Sequence, residues 1–238
     1  MSANWLGAAV NGTATMSGTS PFVYAPRLVL RRLSFACGVA MLLAVGLLLG
    51  ASASSASSTP VPVGDGPVEV AFSPDGTFAM VTNYYSGSVS RVRTSDGAVV
   101  ASIPVGLVPI GVAISPDASF AYIANRDSNN VSRIRLTDNT VQATIPVPGL
   151  PFGVAISPDG AQAYVTSSDS TTVTRIRTSD NTVLGTVSVG SQPYPVKFSP
   201  DGSYAYVANF GSDTVSRIRT ADATVQTTIT VGDGPVGL

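Results

Sequence analysis

Ser-Pro-Asp occurs at Ser73, Ser115, Ser157 and Ser199, each 42 residues after the last, and this spacing constrains the chain more than any other feature. A second phrase keeps step with it: Ala79-Met80-Val81-Thr82-Asn83, Ala121-Tyr122-Ile123-Ala124-Asn125, Ala163-Tyr164-Val165-Thr166-Ser167 and Ala205-Tyr206-Val207-Ala208-Asn209. A fixed period of this length marks a repeat architecture, in which each unit is one supersecondary element that buries its apolar face only by packing on the next.

Within one unit, Pro67 to Ser73 alternates Val68, Val70 and Phe72 with Glu69, Ala71 and Ser73, a period of two that predicts a strand. Pro74-Asp75-Gly76 then supplies a fixed φ, a side chain able to bond the backbone ahead, and a residue free to take positive φ, which together predict a tight turn. Phe78 to Tyr84, Ser88 to Thr94 and Ala98 to Val105 are predicted as three further strands, separated by Tyr85-Ser86-Gly87 and Ser95-Asp96-Gly97. Connections this short leave no room for a crossover helix, so neighbouring strands must be antiparallel.

These phrases resemble the YVTN family of β-propeller repeats. The likeness is carried by Val105-Gly106, Gly111-Val112-Ala113-Ile114-Ser115-Pro116-Asp117, Tyr164-Val165-Thr166, Val131-Ser132 and Thr144-Ile145, and it runs from Val61 to Leu238. It implies an all-β propeller of four-stranded antiparallel blades and a place at the cell surface or outside the cell, with no single activity attached. Gly64-Asp65-Gly66-Pro67-Val68 returns as Gly232-Asp233-Gly234-Pro235-Val236, so residues 63–238 hold four blades and the start of a fifth first strand. An open arc or partial ring is expected, with self-association through exposed terminal blades. A ring closed at four blades and a fragment of a larger propeller are the alternatives.

The leader differs in kind from the repeats. Residues 1–26 form a prefix without periodicity. In 27–56, Arg27, Arg31 and Arg32 precede an apolar run ending at Gly50 and the small residues Ala51-Ser52-Ala53, the order of a secretory signal. A retained signal anchor is the alternative, and only that would bring a membrane partner. Residues 57–62 read as a linker.

Composition narrows the chemistry. All fourteen acidic residues lie from Asp65 onward, against ten of the thirteen basic ones, so the repeats offer no electrostatic footprint for nucleic acid. Histidine is absent, and the single cysteine, Cys37, lies in the leader. The usual general base and the commonest transition-metal ligand are thus missing, and no calcium-loop spacing is present. The chain is therefore read as a non-catalytic exported scaffold, without cofactor or metal, that binds a protein or glycan. A lactonase-like or lyase-like propeller enzyme is the alternative.

Candidate residues come from the third strands and from breaks in the repeat. Arg91 and Arg93, Arg133 and Arg135, Arg175 and Arg177, and Arg217 and Arg219 place two arginines on one face of each third strand. They are expected to form a structural ladder between blades with Asp96, Asp138, Asp180 and Asp222; a stripe for an anionic polymer is the alternative. Glu69 stands where other blades have Gly111, Gly153 and Pro195, and Lys197 where they have alanine; both are candidates for the central channel. Phe152 and Tyr194 vary at its mouth, and Arg126, Asp127 and Asn129 lie in a variable loop, the kind of place where binding residues are found.

Overall fold

The computed structural model describes residues 60–238. The prefix, the signal segment and linker residues 57–59 lie outside the described residues. Blade 1 consists of β1 (Pro67–Phe72), β2 (Phe78–Asn83), β3 (Ser88–Arg93) and β4 (Val99–Pro104), and blade 2 of β5 (Pro109–Ile114), β6 (Phe120–Asn125), β7 (Asn130–Arg135) and β8 (Thr140–Pro146). Blade 3 runs through β9 (Pro151–Ile156), β10 (Gln162–Ser167), β11 (Thr172–Arg177) and β12 (Val183–Ser188), and blade 4 through β13 (Pro193–Phe198), β14 (Tyr204–Asn209), β15 (Thr214–Arg219) and β16 (Thr224–Thr230). Each blade is one sheet in sequence order, antiparallel throughout. The strand limits fall within a residue or two of those predicted by the alternation.

The turn chemistry repeats with the sequence. In blade 1, Ser73 Oγ donates to Asp75 at 2.6 Å, and the same carboxylate oxygen accepts the Thr77 amide at 3.0 Å, closing the turn before β2. Gly76 at its tip has φ of 70°; Ala118 takes the same place in blade 2 with φ of 55°, where glycine is preferred.

First strands of adjacent blades contact one another, β1 with β5, β5 with β9 and β9 with β13, which puts them at the centre of the arrangement. The core lies between blades. Tyr122, Tyr164, Met80, Ile134, Ile176 and Ile218 are fully buried there, and burying an aliphatic side chain of this size contributes roughly 1.5–3 kcal/mol. At the ends of the arc the same faces are open. Val70 is 48% exposed whereas its counterparts Val112, Val154 and Val196 are 4%, 8% and 3% exposed. Ile229 is 43% exposed against 3% for Ile103. Blade 1 therefore lacks a neighbour on one face and blade 4 on the other: the described residues form an open four-bladed arc.

The arginines divide into two sets. Arg93, Arg135, Arg177 and Arg219 each pair with the turn aspartate three residues on, Asp96, Asp138, Asp180 and Asp222, in half-exposed ion pairs within one blade. Arg91 crosses instead to blade 2, donating to the Leu136 carbonyl at 2.7 Å and to Asn139 Oδ1 at 2.9 Å, with its guanidinium over the Phe78 ring. Arg133 makes the matching reach to Thr178 and Asn181 of blade 3 over Phe120. Arg217 lies over Tyr204 on the free face of blade 4. The expected pairing of both arginines with aspartates between blades is thus corrected. The aspartate pairs are local, and the bonds between blades go to carbonyls and asparagine, because the inner arginine alone is close enough to the next blade.

Candidate functional site in the central channel

Every first strand carries a small or constrained residue at its third position except β1, which carries Glu69. The reason is close approach. A Cβ added at Gly111 would meet the Phe152 carbonyl oxygen at 2.4 Å, and one at Gly153 would meet that of Tyr194 at 2.4 Å. The junctions between blades 2 and 3 and between blades 3 and 4 thus exclude a side chain at this point, whereas the junction between blades 1 and 2 admits a whole glutamate.

That glutamate is held from both sides. Its amide donates to Thr82 Oγ1 at 3.1 Å, and the Thr82 hydroxyl donates across the junction to the Ile110 carbonyl at 2.8 Å. One carboxylate oxygen, Oε2, accepts the Val112 amide of blade 2 at 3.3 Å. Glu69 has more than a third of its surface open to solvent, yet protein atoms crowd its carboxylate closely. Crowding raises its pKa, and the Val112 amide and the charge of Lys197 pull it back down. The solvent-facing side screens that rise.

Lys197, on β13 of blade 4, is exposed, and its positive charge contributes to drawing the Glu69 pKa down. Phe152 stacks on Tyr194 with ring centroids 4.2 Å apart, and Tyr194 stacks on Phe210 at 4.8 Å, both pairs within 11° of parallel. This three-ring stack joins blades 3 and 4. Arg126 pairs loosely with Asp127 at 3.7 Å and approaches the Tyr84 hydroxyl at 3.4 Å. Asn129 takes positive φ and accepts the Leu150 amide at 3.1 Å, which ties it into the connection to blade 3. Thr82 and the Val112 amide were not singled out from the sequence. Thr82 carried a signal, since Thr166 matches it and Ala124 and Ala208 do not, and Thr166 likewise donates to the carbonyl of Tyr194 in the next blade. Among the described residues no group of three cysteines or carboxylates gathers into a metal site.

The sequence model of the family described as "Lactonase, 7-bladed beta-propeller" matches residues 50–184. No curated protein matches the chain. Among solved structures, Kuenenia stuttgartiensis hydrazine synthase superposes with a TM-score of 0.68 at 26% identity, over 75% of this chain and 52% of that one. A functionally unknown protein from Desulfotomaculum acetoxidans DSM 771 superposes with a TM-score of 0.65 at 24% identity, over 73% of this chain and 59% of that one, and shows the fold alone. The chain thus spans little more than half the length of these structures. These matches support a propeller without supporting the YVTN assignment, and they overturn the expectation of a non-catalytic chain. The matching family is named for an enzyme, and so is the first of the two structures. With more than half its residues matched, the chain belongs to the lactonase, seven-bladed β-propeller family.

Proposed function

We propose that this chain works as a lactonase-like propeller enzyme, hydrolysing a cyclic ester at the channel end of the junction between blades 1 and 2. The observation that carries the proposal is Glu69: the only glutamate in the sequence, placed at the one junction with room for it, with its carboxylate on the Val112 amide of the next blade. Crowding that raises its pKa makes its carboxylate a stronger base once ionised.

The chemistry follows from these groups. Glu69 takes a proton from water as the water oxygen bonds to the lactone carbonyl carbon. The Lys197 ammonium steadies the negative charge that forms on the carbonyl oxygen. As the tetrahedral centre collapses, the ring C–O bond breaks, and the proton held by Glu69 passes to the departing alkoxide, giving an open-chain hydroxy acid.

Hydrolysis of δ-valerolactone and glucono-δ-lactone by the purified full chain, followed by acid release in a pH-stat, tests this reading. Glu69→Gln is expected to lower the rate by about 100-fold or more, and Lys197→Met to lower it less. An unchanged rate in Glu69→Gln would sink the proposal. Export is part of the same reading and rests on the order of residues in the leader: a mature product that begins near Ser54 or Ser57 supports it, and one that retains residues 27–50 favours the anchor.

A further inference from the structure

Three departures from the repeat fall together at the junction of blades 3 and 4, away from the central channel. Where β2, β6 and β14 begin with Phe78, Phe120 and Tyr204, β10 begins with Gln162. Where the Ser-Pro-Asp turns of the other blades continue to a hydroxyl, at Thr77, Ser119 and Ser203, blade 3 has Ala161. Where Asn139 and Asn181 receive bonds from the preceding blade, blade 4 has Ala223.

Each change frees a polar group. Without its ring, the first position of β10 no longer fills the junction, and a cavity of about 240 Å³ opens there, lined by Ser157, Asp159, Gln162, Phe198, Gly202 and Thr220 among others. Gln162 lines it, and its Oε1 is buried without a hydrogen-bond partner among the described residues. Asp159 keeps the Ser157 hydroxyl and the Ala161 amide on Oδ1 but lacks the side-chain hydroxyl that Asp75, Asp117 and Asp201 accept from the residue two positions on. The Tyr164 hydroxyl, whose counterpart on Tyr122 donates to Asn181 at 2.6 Å, has no partner either. A buried polar atom left unpaired is costly, and three coincident losses at one junction of a regular repeat are better explained by an occupant than by drift.

The lining defines that occupant. At about 240 Å³ the cavity is below the range of drug-sized sites. A carboxylate on its wall disfavours anions, a free carboxamide offers both a donor and an acceptor, and Phe198 gives an apolar wall. We propose that the cavity between blades 3 and 4 binds a single sugar ring or small cyclic polyol, with vicinal hydroxyls on Asp159 and Gln162 and a C–H face against Phe198. This site is separate from the channel and does not depend on the proposed hydrolysis.

Saturation-transfer NMR on the full chain tests it, with D-glucose, D-galactose, D-mannose, N-acetyl-D-glucosamine and myo-inositol as probes and methylammonium as a charge control. At least one polyol is expected to take up saturation from the natural protein. Gln162→Phe, which copies Phe78 and Phe120 and so is expected to fold, should weaken that binding by about tenfold or more. Ala161→Ser, which returns a hydroxyl to Asp159 without touching the core, should weaken it several-fold. The proposal is overturned if no polyol binds, if binding survives in both variants, or if methylammonium alone binds.

Discussion

The Val112 amide points at the Glu69 carboxylate, 3.3 Å away and one blade further round, so the candidate base is steadied by its neighbour's backbone instead of its own strand. Replacing the carboxylate by an amide separates its chemistry from its effect on stability. Because Glu69 has a raised pKa in the fold, folding favours protonation of this group relative to the unfolded chain, and its contribution to stability falls as pH rises through the carboxylate range. Glu69→Gln should therefore raise the melting temperature at pH 7, leave it unchanged below about pH 4, and still lower lactone hydrolysis by about 100-fold or more. Loss of activity together with a lowered melting temperature at pH 7 would mean that the residue serves folding.

The turn aspartates behave in the opposite sense. Hydrogen bonds and the neighbouring arginine hold Asp138 at about 2, and hydrogen bonds from Ser199 and Ser203 hold Asp201 at about 2. Asp75, Asp96, Asp117, Asp159, Asp180 and Asp222 are all lowered too. Their stabilisation is complete above the unfolded value of about 3.9 and is lost as pH falls through the folded values. In Glu69→Gln, where the opposing group is removed, the melting temperature should be nearly flat from pH 7 to about pH 4 and drop steeply towards pH 2. A decline already evident between pH 7 and pH 5 would contradict this.

The two arginines of β7 should differ in worth. Arg133 crosses to Thr178 and Asn181 and covers Phe120, so Arg133→Ala should cost about 1–3 kcal/mol in urea unfolding. Arg135 makes only a half-exposed pair with Asp138, and Arg135→Ala should cost less than about 1 kcal/mol. Equal losses would remove the distinction between bonds within and between blades.

Ala118 occupies a turn position whose counterparts Gly76, Gly160 and Gly202 share its positive φ. Relief of the Cβ contact outweighs the greater freedom of glycine in the unfolded chain, so Ala118→Gly should stabilise the protein by about 0.5–1 kcal/mol. The same unfolding measurement reads it, and destabilisation would show that the αL backbone carries no strain at this position.

Blade architecture was legible because spacing, alternation and turn residues all point to one answer, and four copies say it in register. What was not legible depends on distances between blades. Alternation puts Arg133 and Arg135 on the same face, but only the approach of blade 3 decides which of them reaches it. Glu69 and Lys197 stood out as breaks in the pattern, whereas the partners of Glu69, the Thr82 hydroxyl and the Val112 amide, belong to repeated positions that look like packing. Gln162, Ala161 and Ala223 are unremarkable singly, and they matter only because folding brings 161–162 and 223 to one junction. The inference against catalysis failed for a different reason: it counted residue types, and local environment decides what a carboxylate can do.

The contacts between successive blades also shape how the chain unfolds. Blades 2 and 3 are supported on both faces, and blades 1 and 4 on one face each, so local stability is set by the number of neighbours. Native-state hydrogen exchange should therefore form a gradient, with the amides of β6 and β10 the slowest, those of β2 and β14 faster, and the free-faced edge strand β16 the first to open.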